Sequence, residues 1–83
     1  MKILYFARIR QLAGRTMEEV EVPASVATVN DLIAFLSARD EAVAAALAER
    51  RTLRAAVDQT HVALDASVSG AREVAFFPPV TGG

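Results

Sequence analysis

The sequence predicts an α+β domain, a mixed β-sheet with a helix laid across one face. Three observations carry that prediction. The opening residues alternate in hydropathy, a capped amphipathic segment lies in the middle, and three short apolar stretches bounded by turn residues close the chain. With 83 residues there is room for one core, and a fold of that size buries only about 60–65% of the surface its unfolded chain exposes. Hydrophobic residues make up 53% of the chain and charged ones 23%, a balance that argues against disorder.

Lys2 to Arg8 places Ile3, Tyr5 and Ala7 on one face and Lys2, Leu4, Phe6 and Arg8 on the other, the period of a strand. Charges at both ends of the second set turn it outward. Gly14-Arg15 punctuates the chain, and Thr16 to Val22, with Met17, Val20 and Val22 among three glutamates, reads as an exposed strand returning as a hairpin and ended by Pro23. Thr28 followed three residues later by Asp31 is a capping-box-like helix start. Val29, Leu32, Ile33 and Leu36 then recur at i, i+3, i+4 and i+7, so the helix lays one apolar stripe on the sheet. Asp40 to Arg50, rich in alanine with Val43 and Leu47 one turn apart, predicts a second short helix.

Strands are expected at Arg54 to Val57 and His61 to Leu64 around a turn at Asp58-Gln59-Thr60, where Asp can bond its own backbone two residues on. Val62 and Leu64 face the core in this reading. A loop from Asp65 to Arg72 precedes a last strand, Glu73 to Phe77. Strands and helix in this order fit a single-domain β-grasp, or ubiquitin-like, architecture over residues 1–77, followed by an extended, flexible tail over 78–83.

Composition narrows the function. The eight arginines are interspersed with acids and the net charge is −1, so there is no footprint for nucleic acid. No long apolar span or leader is visible, so no membrane is expected and the cytoplasm is the expected location. Cysteine is absent and histidine occurs once, which leaves no metal site and no side-chain thiol to carry sulfur.

The informative motif is the tail Pro78-Pro79-Val80-Thr81-Gly82-Gly83. Proline lacks an N–H and fixes φ, so Pro78-Pro79 halts sheet pairing and projects the chain outward. At roughly 3.1 Å per residue in a polyproline-like form, the six residues reach about 19 Å, enough to enter a partner's cleft. Gly82-Gly83 has no Cβ atoms, so its backbone can pass a constriction and lie against a catalytic surface. The chemistry then falls to the main-chain carboxylate of Gly83. Attack on the α-phosphate of ATP makes an acyl adenylate, and a sulfur nucleophile displacing AMP leaves a thiocarboxylate. The carrier supplies no catalytic side chain to this route and binds no cofactor; ATP is consumed by a separate activating enzyme. The bland alternative is a frayed chain end.

The run Glu73-Val74-Ala75-Phe76-Phe77-Pro78-Pro79-Val80-Thr81-Gly82-Gly83 resembles the C-terminal signature of the molybdopterin synthase small-subunit family, and Leu53 to Thr60 and Lys2 to Ala7 are similar to it as well. Gly70-Ala71-Arg72-Glu73 departs from that family's usual Gly-Asp-Glu turn, Asp58 stands where Asn is common, and His61 replaces a more usual Leu. The resemblance implies a sulfur carrier for molybdenum cofactor biosynthesis. Gly83 would be adenylated, thiocarboxylated and presented to cyclic pyranopterin monophosphate in the large subunit, within a heterotetramer centred on a dimer of large subunits. Phe6, His61 and Phe77 match the family's hydrophobic contact surface.

The residues themselves also place Phe76 inward and Phe77 outward, because neighbours in a strand face opposite ways. Phe6 and His61 share the outward parity, and single exposed apolar groups on a small domain are the ordinary alternative to a docking patch. Arg50, Arg51 and Arg54 are open to two readings, partners for an activating enzyme's acidic surface or solvated charge near a helix end. Rival functions are a thiamine-pathway sulfur carrier, a ubiquitin-like protein modifier and a plain interaction domain.

Overall fold

The computed structural model describes residues 1–79. Five strands and three helices follow in the order β1 (Lys2–Tyr5), α1 (Ala7–Ala13), β2 (Met17–Glu19), α2 (Val29–Arg39), α3 (Glu41–Ala46), β3 (Arg54–Val57), β4 (Thr60–Val62) and β5 (Glu73–Phe77). The strands form one mixed sheet in the order β2-β1-β5-β3-β4. β1 and β5 run parallel in register Lys2↔Glu73 to Tyr5↔Phe76, and the other neighbouring pairs are antiparallel. This is the predicted α+β, β-grasp arrangement, with its last strand in the centre of the sheet.

One face of the sheet supplies Ile3, Tyr5, Ala55, Val74 and Phe76 to the core, all essentially buried. α2 closes that face with the predicted stripe of Val29, Leu32, Ile33 and Leu36, each at most 1% exposed. Its start is the predicted capping box. The Asp31 amide donates to Thr28 Oγ1 at 3.1 Å, and the Thr28 amide donates back to Asp31 Oδ2 at 3.1 Å. Because backbone N–H groups at Ala27 and then Thr28 point at it, the Asp31 carboxyl is held below its ordinary pKa.

The N-terminal strand is shorter than its alternation predicts. Pairing stops at Tyr5, Phe6 takes the extended N-cap position, and Ala7, at φ 51°, bends the chain into α1. Ala7 is therefore exposed and not in the core, and Arg8 belongs to a helix. Ile9 and Ala13, one turn apart, are the residues that α1 buries, and Gly14 ends it in the left-handed region at φ 73°, donating its N–H to the Arg10 carbonyl. The return to β2 is thus made by a helix and not a hairpin turn. β2 itself is three residues, Met17–Glu19, within the longer stretch predicted from Thr16 to Val22.

Elsewhere the bounds move by less. α3 spans Glu41–Ala46 inside the predicted Asp40 to Arg50, capped by Asp40 Oδ1, which accepts from Ala42 and Val43. β3 and β5 match their predicted bounds, and β4 begins one residue early and ends at Val62. Asp58 and Gln59 form a two-residue connection, both with positive φ, at 47° and 70°. The Asp58 side chain does not serve its own turn: its Oδ1 accepts from the backbone of Arg72 and Glu73 at 2.9 and 3.0 Å, tying the β3–β4 hairpin to the start of β5.

A polar chain braces the β2 edge against the helices. The buried Tyr5 hydroxyl donates to Glu18 Oε2 at 2.7 Å, Arg15 lies 3.5 Å from Glu18 Oε1, and Arg15 Nη2 lies 2.7 Å from Asp40 Oδ2. Burial, reinforced by the Glu18 carboxylate, pushes the Tyr5 phenol well above its ordinary value. The Arg15 guanidinium, helped by the α3 N-terminal amides, holds Asp40 below its own. Among the described residues no helix is long and apolar enough to cross a membrane.

Candidate functional site: the outer sheet face and the root of the tail

The face of the sheet turned away from the helices can be read directly from the strand register. Met17, Leu4, Ala75, Ala56 and His61 stand opposite one another in turn, one from each strand, and form a row across the whole sheet. Met17 is 52% exposed at one end, while Ala75 and Ala56 in the middle are small and only 7% exposed, so the centre of the row lies low between larger neighbours. On the tail side of this row Phe77 stands opposite Arg54, and Phe6, 47% exposed, follows β1. On the other side the pairs Lys2↔Glu19 and Lys2↔Glu73 are charged. Apart from Arg54, the outer face is therefore apolar toward the end where the chain leaves it, and it is ionic at the other.

Phe76 and Phe77 take the two predicted orientations, Phe76 fully buried and Phe77 half-buried on the outer face. The rings of His61 and Phe77 lie 5.0 Å apart, tilted by 44°. Phe6 joins the same side through its backbone, its amide donating to the Phe76 carbonyl at 3.1 Å. Sequence reasoning paired the three aromatic positions by parity. Met17 and the two alanines were not in that set, because only the strand register shows that they continue it.

β5 delivers the chain to Pro78 and Pro79, both half-buried, which border a groove together with Arg8, Ile9 and Leu12 of α1 and with Leu53. Val80, Thr81, Gly82 and Gly83, on which the chemistry expected from the sequence rests, lie outside the described residues. What the fold supplies is a rigid base. β5 is bonded on both sides, in parallel to β1 and antiparallel to β3, so the position from which the tail starts is held by two ladders. Among the described residues no three His, Asp or Glu side chains gather as a metal site.

A fold of this kind hosts unrelated functions, so relatives decide the family. The ThiS family model matches residues 3–83. The chain belongs to the ThiS family. Among relatives of this ThiS-family chain, the molybdopterin synthase sulfur carrier subunit of Escherichia coli (strain K12) is 43% identical over 83 residues, covering 100% of this chain and 99% of that one. The subunit of the same name from Haemophilus influenzae is 35% identical with the same coverage. The crystal structure of Haloferax volcanii small archaeal modifier protein 1 superposes with a TM-score of 0.69 at 26% identity, covering 95% of each chain.

Proposed function

We propose that this chain is the sulfur carrier of molybdopterin synthase, acting through the Gly83 carboxylate. The observation that supports it most is the match along the whole chain to carriers of that name, running through the Glu73–Gly83 segment. In the proposed cycle a Gly83 carboxylate oxygen attacks the α-phosphorus of ATP, and the bond to pyrophosphate breaks. A sulfur nucleophile then adds to the acyl carbon, and the C–O bond to AMP breaks. The sulfur of the resulting thiocarboxylate then bonds to a carbon of cyclic pyranopterin monophosphate in the large subunit as a C–O bond there breaks. Water cleaves the acyl–sulfur bond, so that sulfur stays on the pterin and Gly83 returns as a carboxylate. The chain's own part is to present the tail, and the acid–base and phosphate-binding groups belong to the partners.

Phe6, His61 and Phe77, with the apolar row beside them, are proposed as the contact surface for the large subunit. Such a face near the tail's root fixes where the tail enters, and aromatic residues are the residue type that most often anchors interfaces.

Intact-mass measurement after incubation with ATP, the activating enzyme and a sulfur source tests the proposal. The expected result is replacement of one oxygen by sulfur, mapped to Gly83, and its loss when one residue is added after Gly83. An unchanged mass with an active enzyme preparation removes the sulfur-carrier reading. The likeness to a small archaeal modifier protein favours a second reading, attachment of Gly83 to lysines of other proteins. Stable conjugates with many cellular proteins would establish it. Lys2, the sole lysine, leaves a single side chain through which copies of the chain could be joined to each other.

A further inference from the structure

The charge around the tail's root is not used by the apolar face. Arg54 begins β3 directly across from Phe77, and its Nη1 donates to the carbonyls of Leu53 and Arg51, which keeps the guanidinium beside the loop where Arg51 stands exposed. Exposed Arg8 of α1 borders the groove that Leu53, Pro78 and Pro79 share. Arg8 and Arg54 thus flank the exit of the chain from the sheet, and exposed Arg51 lies in the loop that leads into β3. Among the described residues none of the three has a carboxylate within 4.0 Å; the ion pairs present are made by Met1, Arg15 and Arg39. Glu49 lines the same groove as Arg8 and offsets one of the three charges. Glu19, Asp58 and Glu73 sit at the opposite end of the sheet with Lys2 and Arg72. A chain of net charge −1 therefore carries a positive pole where its tail departs.

We infer that Arg8, Arg51 and Arg54 form a basic collar that steers the tail into an acidic-rimmed cleft of the activating enzyme, an inference that rests on the carrier reading above. In that reading two partners receive the tail, with different needs. The large subunit forms a lasting assembly, and slow dissociation comes from buried apolar anchors such as Phe6 and Phe77. The activating enzyme must capture the carrier quickly and release it after one round. Exposed charges serve that purpose, since they raise association rates by about 10- to 1,000-fold and are screened by salt. Guanidinium groups at the rim that, among the described residues, have no carboxylate within 4.0 Å fit the transient partner.

The test is stopped-flow association of the full chain with the activating enzyme at low and high ionic strength. Arg54→Glu and Arg8→Glu are each expected to slow association about three- to tenfold at low salt, with the gap closing to under about twofold at ~0.5 M salt. Arg72→Glu, the same charge change at the far end, is expected to stay within about twofold of wild type. Dissociation from the large subunit should not change in Arg8→Glu, whose side chain is carried by α1 and not by the outer sheet face. An Arg54→Glu chain that associates as fast as wild type, or an Arg72→Glu chain slowed equally, overturns the collar while leaving the carrier reading intact. A wild-type chain that the enzyme neither binds nor adenylates overturns both. Circular dichroism of each variant separates a lost fold from a lost contact.

Discussion

Replacing Asp58 by alanine should destabilise the domain out of proportion to its exposed position. Asp58 holds φ 47° in the β3–β4 turn, and its carboxylate accepts the Arg72 and Glu73 amides at 2.9 and 3.0 Å. Alanine forced into the left-handed region costs about 1 kcal/mol, whereas Asp and Asn tolerate it better. Each lost hydrogen bond at this solvent-facing site adds about 0.5–1 kcal/mol. The expected loss is about 2–3 kcal/mol, equivalent to a fall in Tm of about 8–20 °C for a domain of this size. Asp58→Asn keeps both an acceptor oxygen and the tolerance for positive φ, so it should stay within about 1 kcal/mol of wild type. Circular dichroism melts with urea titrations by linear extrapolation measure both variants. An Asp58→Ala chain melting within about 3 °C of wild type would refute the claim that this carboxylate ties the hairpin to β5.

Tyr5 is the only tyrosine, and its folded pKa is raised by burial and by Glu18 above the ordinary 10.0. Above pH 10.0 the unfolded chain therefore loses the phenolic proton first, and stability should decline as pH rises further. Tyr5→Phe should flatten that alkaline decline and cost about 1–2 kcal/mol at neutral pH; urea midpoints across pH decide it, and an unaltered alkaline slope would count against the buried phenol. Asp31 and Asp40 have pKa values lowered below 3.8, so their stabilising effect is present above that pH and disappears as pH falls through the lower folded values. Asp31→Asn should make the acid unfolding curve shallower in the same window, and an identical curve would show that the capping carboxylate does not matter. Phe77→Ala should weaken large-subunit binding by about 1–3 kcal/mol with the isolated fold intact, and unchanged affinity by calorimetry would remove Phe77 from the contact surface.

The helix with the clearest signal in the sequence is the one whose determinants are local. Thr28 and Asp31 cap α2 within one turn, and its four buried positions follow from the helical period alone. β3 and β5 are legible for the same reason, as short apolar runs between turn residues. α1 is hidden because Lys2 to Arg8 continues a strand's alternation beyond the point where pairing stops. The competing signals were weak: Phe6 makes no side-chain cap, and only Ile9 and Ala13 mark the buried face, although Gly14 is a C-cap signal that could have been used. The roles of Asp58 and Met17 were illegible for another reason. Both depend on partners distant along the chain, Arg72 and Glu73 in one case and the strand register in the other. The aromatic positions of the candidate site could be named from parity, but their grouping needed β5 to lie between β1 and β3.

That central position of β5 has a consequence for biosynthesis. Before residues 73–77 leave the ribosome, β1 with β2 and β3 with β4 are two separate antiparallel pairs with no ladder between them, and paired strands in twos are marginal in water. The strand that joins them follows the other four in chain order, so the sheet closes only after β1 to β4 have all been made. A chain cut short before Glu73 lacks the ladder partner of both β1 and β3 and is left as an open polypeptide that proteases can reach.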